Sequence, residues 1–287
     1  MEHVTDWALL WRQIVEARLA GRPESDAPAT TADPWTGRAR EFDSMARSRP
    51  RGIGSRQQAV LDLLEPGESI LDIGAGTGAW ALAFATKAGG VTALDASPSM
   101  TAIMRENVAA AGDAGAAIRV IEGRWPDVEV ERHDVTFAAH SMYGVADLPG
   151  FIRRMVAVTR RRCFLVLRLP TPGGLLAEAA RHAWGHEFDS PNFVVGYNVL
   201  LQMGIAANVR VDPGSQLQPR TSATLEDALG RIKRHLGLGA VTTHDAHLRA
   251  LLERRLTRPA NGDAGPLAWP AEGGGALIWW DTERPRA

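Results

Sequence analysis

LDIGAGTG, at residues 71–78, is the stretch of sequence that decides the fold. The apolar residues 69–73 predict a short buried strand, and residues 79–88 predict a helix. Gly74, Gly76 and Gly78 form the turn between them. Glycine permits backbone conformations that other residues resist, and it lets a ligand lie against the bare main chain. The stretch therefore predicts a strand–turn–helix unit with a ligand at its turn.

A second apolar run, residues 91–94, ends at Asp95, seventeen residues after Gly78. A carboxylate there can accept both hydrogen bonds from a ribose diol. The turn has no Lys or Arg for a phosphate, and the dinucleotide fingerprint needs a glycine at position 79, which is Ala. The two motifs favour a nucleoside without a pyrophosphate. The alternatives are an NAD site and a glycine-rich turn in another kind of α/β sheet.

At these motifs, LDIGAGTG at 71–78 and LDASPSM at 94–100, the chain resembles the class I S-adenosylmethionine (SAM) methyltransferases. The closest group within that class is the small-molecule group called type 11 or UbiE-like. The resemblance implies SAM as the cofactor and a Rossmann-like fold. That fold is a doubly wound, seven-stranded, mostly parallel α/β sheet, with N-terminal helices and helical insertions forming a cap. Specific motifs support the resemblance over about residues 55–170, and elsewhere it rests on the order of the elements.

The remaining pattern alternates strands with helices, which is typical of a parallel sheet covered on both faces. Strands are predicted at 69–73, 91–95, 118–122, 135–139, 163–169, 208–212 and 276–281, the last one antiparallel by resemblance. Helices are predicted at 4–20, 35–48, 57–64, 79–88, 98–111, 148–158, 174–184, 192–203, 224–236 and 244–256.

These elements predict one methyltransferase domain, 1–287, with several parts. Residues 1–50 form N-terminal lid helices joined by a polar loop, although the first helix could also simply pack on the sheet. Residues 55–170 form the SAM-binding core, and 275–282 the last strand. The insertions 170–206 and 213–272 are expected on the acceptor side, because ligands of open α/β sheets bind beyond the carboxyl ends of the strands.

The resemblance also implies a donor site. Asp72 would hold the turn or reach the methionine amino group, Asp95 would bind the ribose, and Ala96 and Met100 would lie near the adenine. Family members often have an acid after the third strand, whereas this chain has Arg124 and Trp125. The indole could stack on adenine, and Arg124 could contribute its backbone amide. The predicted donor site comprises Asp72, Gly74, Ala75, Gly76, Gly78, Asp95, Ala96, Met100, Arg124, Trp125 and His140.

The acceptor is expected beyond the fourth and fifth strands. His140 could contact the methionine portion or act as a general base, since an unperturbed imidazole titrates near neutrality, or it could be structural. Tyr143 is expected to face the acceptor, and Arg168 is placed to meet an anionic one. An acceptor pocket is predicted to include His186, Asn192 and Tyr197, with fixing of the loop between two helices as the alternative.

A metal is not predicted. His182 and His186 stand four residues apart, as helical metal ligands can, and Glu187 and Asp189 follow them. However, Gly185 interrupts the helix between the two histidines, and the sequence contains no HExxH motif.

The formal net charge of −1 over 287 residues gives no general attraction to nucleic acid or to acidic membranes. The N-terminus lacks a signal-peptide core, and no apolar run is long enough to span a bilayer. The sequence therefore predicts a cytoplasmic enzyme that methylates a small molecule at an O, N, S or C atom. An RNA or protein methyltransferase and a non-catalytic protein that binds SAM or S-adenosylhomocysteine (SAH) are the alternatives. The oligomeric state stays open.

Overall fold

The computed structural model describes residues 5–20, 33–47, 55–186, 190–212, 221–258, 265–270 and 273–282. Within them, one sheet has the strand order β3-β2-β1-β4-β5-β9-β6. Its strands are β1 (Ser69–Ile73), β2 (Gly90–Asp95), β3 (Ile118–Glu122), β4 (His133–Ala139), β5 (Thr159–Arg168), β6 (Asn208–Asp212) and β9 (Gly275–Asp281). The strand β9 runs antiparallel to β5 and β6, and the other pairs of neighbouring strands in this sheet are parallel. The predicted doubly wound, seven-stranded, mostly parallel sheet is confirmed.

The helices also follow the predicted order. They are α1 (Trp7–Ala20), α2 (Ala39–Arg47), α3 (Ser55–Asp62), α4 (Ala79–Phe84), α5 (Pro98–Ala110), α6 (Asp113–Ala116), α7 (Leu148–Ala157), α8 (Leu175–Trp184), α9 (Phe193–Gln202), α10 (Leu225–Leu236) and α11 (Asp245–Arg255). The helix predicted over 79–88 is shorter, because residues 85–87 form a turn. A two-residue strand pair, β7 (Thr221–Ser222) with β8 (Leu267–Ala268), and the four-residue α6 were not predicted.

Each face of the sheet is covered by its own apolar core, since the central strands are buried on both sides. One core joins the sheet to α1, α7 and α9, and it includes Trp11, Phe151 and Val199. The other joins the sheet to α3, α4 and α5, and it includes Phe84 and Met104. Near-continuous apolar strands buried on both faces are what a parallel sheet requires.

A third apolar core lies within the helices α8, α10 and α11. Leu229, Leu248 and Trp269 are buried in it. The two predicted insertions therefore meet, because α8 comes from the first and α10 and α11 come from the second. By contrast, α9 packs on the sheet.

Some sequence predictions fall outside the described residues: the start of the first helix at Val4, the polar loop over 21–32, and the side chains of Glu187 and Asp189. None of the helices that the structure describes is long and apolar enough to cross a membrane. The same residues contain no group of three or more His, Cys, Asp or Glu side chains that could hold a metal ion.

Candidate functional site

The glycine turn joins β1 to α4 at the carboxyl edge of the sheet. Gly74, Gly76 and Gly78 have φ values of 72°, 59° and 90°. A Cβ atom on Gly74 would lie 2.2 Å from Cβ of Ser141, in the segment that follows β4. Glycine is therefore required at position 74 by both its backbone conformation and its surroundings. The close approach places the segment after β4 directly beside the turn.

Asp95, at the end of β2, holds the turn in place. Its Oδ2 accepts a hydrogen bond from the Gly76 amide at 2.8 Å, and its Oδ1 accepts one from the Ser97 amide at 2.9 Å. Burial raises the pKa of this carboxyl, and the two amide hydrogen bonds act against the rise. A carboxylate has about four acceptor positions, so the hydrogen bonds from Gly76 and Ser97 leave capacity for a ribose diol. A further hydrogen bond joins the turn to β2, since the Ala75 amide donates to the Leu94 carbonyl at 2.9 Å.

Asp72 lies on the other side of the turn and is only 1% exposed. Its Oδ2 has no hydrogen-bond partner among the described residues, and neither has the buried hydroxyl of Ser141. Burial, and secondarily the charge of Asp95, raises the pKa of Asp72 to about 8. A buried acceptor without a donor is costly, so these atoms fit a polar or cationic ligand group. Together with the bare turn, they fit the amino group and ribose of SAM.

The segment before and within α2 covers this turn. Oδ2 of Asp33 accepts hydrogen bonds from the Ser97 hydroxyl at 2.9 Å and from the Ser99 amide at 2.8 Å, at the start of α5. Phe42 of α2 lies with Cε1 3.7 Å from where a Cβ of Gly76 would stand. The position of α2 agrees with a helix that lines the cofactor pocket.

Met100 and Ala96 were both predicted to lie near adenine. Met100 is 2% exposed and packs with Ala39 of α2 and Ile103 of α5, next to Trp35. Its side chain therefore joins two helices, and its contact with adenine stays a prediction. Ala96 is exposed beside Asp95.

Two residues that follow β3, Arg124 and Trp125, were also predicted to lie near adenine. Trp125 is 8% exposed, lies in the core that joins the sheet to α7, and stands 6.1 Å edge-on from Phe151. On another side, Arg154 lies 5.9 Å from the ring. Its ring packs against Phe151 and Arg154, and stacking on adenine stays a prediction. Arg124 is exposed, and its carbonyl accepts the Asp127 amide at 2.8 Å.

His140, Tyr143 and Arg168 form a connected group at the ends of β4 and β5. Nδ1 of His140 lies 2.9 Å from Oη of Tyr143, and that hydroxyl accepts the Arg168 amide at 2.6 Å. His140 is exposed and has a φ of 57°, the one positive value at a non-glycine residue in the described parts of the chain. Such a conformation in a polar residue at a strand end often marks a functional position.

Two other predicted acceptor residues, Asn192 and Tyr197, make hydrogen bonds that support the fold. Asn192 is 1% exposed and caps α9, since its Oδ1 accepts the amides of Val194 and Val195. The hydroxyl of Tyr197 donates to the Ala207 carbonyl at 2.8 Å. These contacts agree with the alternative of fixing the loop, and acceptor binding by Asn192 and Tyr197 stays a prediction. His186 follows α8 and lies 5.6 Å from Trp184.

Sequence reasoning missed Arg56, Ser190 and Asp33. Arg56 lies at the start of α3, far along the chain from the strand ends that it approaches, and no local pattern marks it. Ser190, which precedes α9, accepts a hydrogen bond at 3.2 Å from the side chain of Arg168 at the end of β5. Asp33 precedes Pro34, which is a turn signal, but its partners at 97 and 99 are set by tertiary packing.

Comparison with known proteins also indicates a methyltransferase domain. A family model described as a methyltransferase domain matches residues 70–162. An uncharacterized protein of Haemophilus influenzae is 28% identical over 222 residues, which are 76% of this chain and 77% of the relative. The match of the family model covers the glycine turn, Asp95, His140 and Tyr143.

Two solved structures share the fold. A candidate methyltransferase of Bacillus halodurans has a TM-score of 0.53 at 15% identity and covers 80% of this chain and 100% of its own. Phosphoethanolamine N-methyltransferase 2 of Haemonchus contortus, solved with phosphomonomethylethanolamine and SAH, has a TM-score of 0.53 at 15% identity. That match covers 86% of this chain and 57% of the other. The family match identifies a methyltransferase domain over residues 70–162, and the described residues have the fold of the class I SAM-dependent methyltransferases.

Proposed function

We propose that this protein transfers a methyl group from SAM to a small-molecule acceptor that binds beside His140 and Tyr143. SAM supplies an electrophilic methyl group. The residues of the chain bind and orient the two molecules and exclude water, because positioning accounts for much of the rate of such a displacement.

The observation that carries the proposal is the contact between the two halves of the site. Ser141 lies against Gly74 of the turn, and it directly follows His140 in the chain. The group His140–Tyr143–Arg168 therefore begins one residue from the turn at which the donor is expected. A donor bound at the turn would have its acceptor side facing this group.

His140 is the candidate base for an acceptor that must lose a proton. The Tyr143 hydroxyl accepts one hydrogen bond from the Arg168 amide and can accept a second from Nδ1–H of His140. In that tautomer Nε2 has a lone pair that can accept a proton. We assign this tautomer to the active form, with Tyr143 as the residue that orients the ring.

The experiment that tests the proposal supplies SAM labelled on its methyl group to three separated fractions of a cell extract: small molecules, RNA and protein. Label in the small-molecule fraction is the expected result. Label in RNA or protein alone would contradict the small-molecule acceptor. SAH binding without transfer to any fraction would indicate a non-catalytic binding protein.

A variant tests the role of His140. His140→Ala should lower turnover of the labelled fraction and leave the Kd for SAH nearly unchanged, because the ring faces the acceptor. His182→Ala, on the exposed surface of α8, is the matched control and should retain turnover. A His140→Ala protein with full turnover would remove the base assignment without affecting the donor site.

A further inference from the structure

The Arg168 guanidinium is a half-buried cation at the end of β5. It lies 4.1 Å from the centre of the Tyr143 ring, and its Nη1 donates to the Ser190 hydroxyl at 3.2 Å. No carboxylate forms an ion pair with it among the residues that the structure describes. Within this part of the chain, its contacts with the Tyr143 ring and the Ser190 hydroxyl are with neutral groups, which fix the direction of the guanidinium.

A second cation, Arg56, reaches the same edge of the sheet from α3. Its Cζ and Nη2 lie 2.8 Å from the position that a Cβ of Gly275 would occupy. Gly275 begins β9 and is paired with Arg168 of β5 on one side and with Asp212 of β6 on the other. The absence of a side chain at position 275 therefore leaves room for the Arg56 guanidinium at the ends of three adjacent strands.

Tyr143 lies within the electrostatic reach of both cations. Burial raises the pKa of its hydroxyl, and the charges of Arg168 and then Arg56 act against that rise. Near this group, Asp212 compensates part of the positive charge, with its Oδ2 3.3 Å from Nη2 of Arg56. Counted over the described residues, two guanidinium groups and one carboxylate give this edge of the sheet a net positive charge.

We propose that Arg168 and Arg56 bind an anionic group of the methyl acceptor, a carboxylate or a phosphate, beside the ring of Tyr143. This proposal rests on the proposed function and specifies its substrate class. The planar fork of a guanidinium matches both anions with paired hydrogen bonds. An acceptor held by its anion at the ends of β5 and β9 would extend toward His140 and the glycine turn.

The test uses the whole protein with its arginine side chains labelled with ¹⁵N, and inorganic phosphate and acetate as probes. The Nε–H signals are followed by NMR in the presence and absence of SAH, at constant ionic strength. Saturable shifts of the Arg56 and Arg168 signals are expected. Arg210, which is exposed on β6, is the control and should not saturate. Saturation by phosphate alone would identify a phosphate site, and saturation by acetate alone a carboxylate site.

Three variants separate the contributions of the two arginines. Arg168→Gln and Arg56→Gln should each weaken binding of the effective anion by about tenfold or more. Gly275→Ala should weaken it as well, although it removes no charge, because the new methyl group would occupy the space of the Arg56 guanidinium. This variant keeps the proposal testable if either arginine variant fails to fold.

The outcomes also separate this proposal from the function on which it rests. SAH binding with shifts at Arg56 and Arg168 that do not saturate, or that equal those of Arg210, would overturn the anion site and leave the donor site standing. The anion site would also be overturned by variants that bind the anion as well as the unmodified protein. Saturable anion binding without any SAH binding would support the anion site and contradict the donor site.

Discussion

At the scale of single residues, the two acids beside the glycine turn differ in their surroundings. Asp95 accepts two backbone hydrogen bonds, whereas Oδ2 of Asp72 is buried without a donor from the described residues. The first acid stabilises the turn in the absence of a ligand. The second destabilises the folded protein until a ligand supplies a donor, a cost often found at binding sites.

Asp72 makes folding stability depend on pH. Its pKa rises from 3.8 to about 8 on folding, mainly through burial. Between these values the unfolded chain has lost this proton and the folded protein keeps it, so the free energy of unfolding falls as pH rises, by up to ~1.4 kcal/mol per pH unit. Denaturant unfolding between about pH 5 and about pH 8 should show this slope, and Asp72→Asn should reduce it. The same slope in both proteins would contradict the assignment.

Asp95 provides a test of nucleoside binding. Asp95→Ala should raise the Kd for SAH by more than about tenfold, since charged hydrogen bonds contribute roughly 1.5–3 kcal/mol. Loss of its bonds to Gly76 and Ser97 would add to this effect. Glu122→Gln is the matched control, because Glu122 pairs with Asp95 in register on β3 and is exposed. Calorimetric titration measures the Kd of each variant for SAH. An unchanged Kd in Asp95→Ala would contradict the ribose assignment.

The glycine turn, Asp95, His140, Tyr143 and Arg168 could be predicted from sequence because each lies at the end of a predicted strand. Tertiary packing determines the positions of Trp125 and Asn192. The ring of Trp125 is drawn into the core by Phe151, and Asn192 is used at a helix start. Such competing uses of an aromatic ring or an amide depend on tertiary neighbours, which a local pattern does not contain.

At the scale of elements, the segment from Asp33 through α2 is attached to α5 at its first residue and again within the helix. Asp33 accepts hydrogen bonds from Ser97, Ser99 and Trp35, with the Trp35 amide at 2.9 Å. Element order and most bounds were predictable, since strand and helix periodicities are local. The docking of α2 onto α5 was not, because it depends on bonds between residues more than sixty positions apart.

This attachment predicts a kinetic effect. Asp33→Ala should speed the release of SAH, by about tenfold if the lost bonds contribute roughly 1.4 kcal/mol, because α2 then covers the turn less firmly. Arg40→Ala removes an ion pair with Glu106 at 2.7 Å in which both side chains are more than half exposed, and exposed pairs contribute little. Stopped-flow measurements give the rate of SAH dissociation from each of the two variants. Equal rates in the two variants would show that Asp33 does not retain the helix over the site.

At the scale of the whole molecule, the three larger apolar cores of the described residues stabilise different parts of the structure. Two hold the sheet between its layers of helices, and the third joins α8, α10 and α11. The sequence predicts these helices but not which partners their apolar faces meet, because amphipathic periodicity specifies a buried face and not its neighbour. The role of this third core and its helices in acceptor binding stays a prediction.

The central claim is that the edge of this sheet binds SAM as a methyl donor. Calorimetric titration of the purified protein with SAM, SAH and NAD in parallel tests it most directly. The fold, the bare glycine turn and the two acids predict binding of SAM and SAH in the micromolar range and no binding of NAD. Binding of NAD, or of none of the three, would contradict the claim.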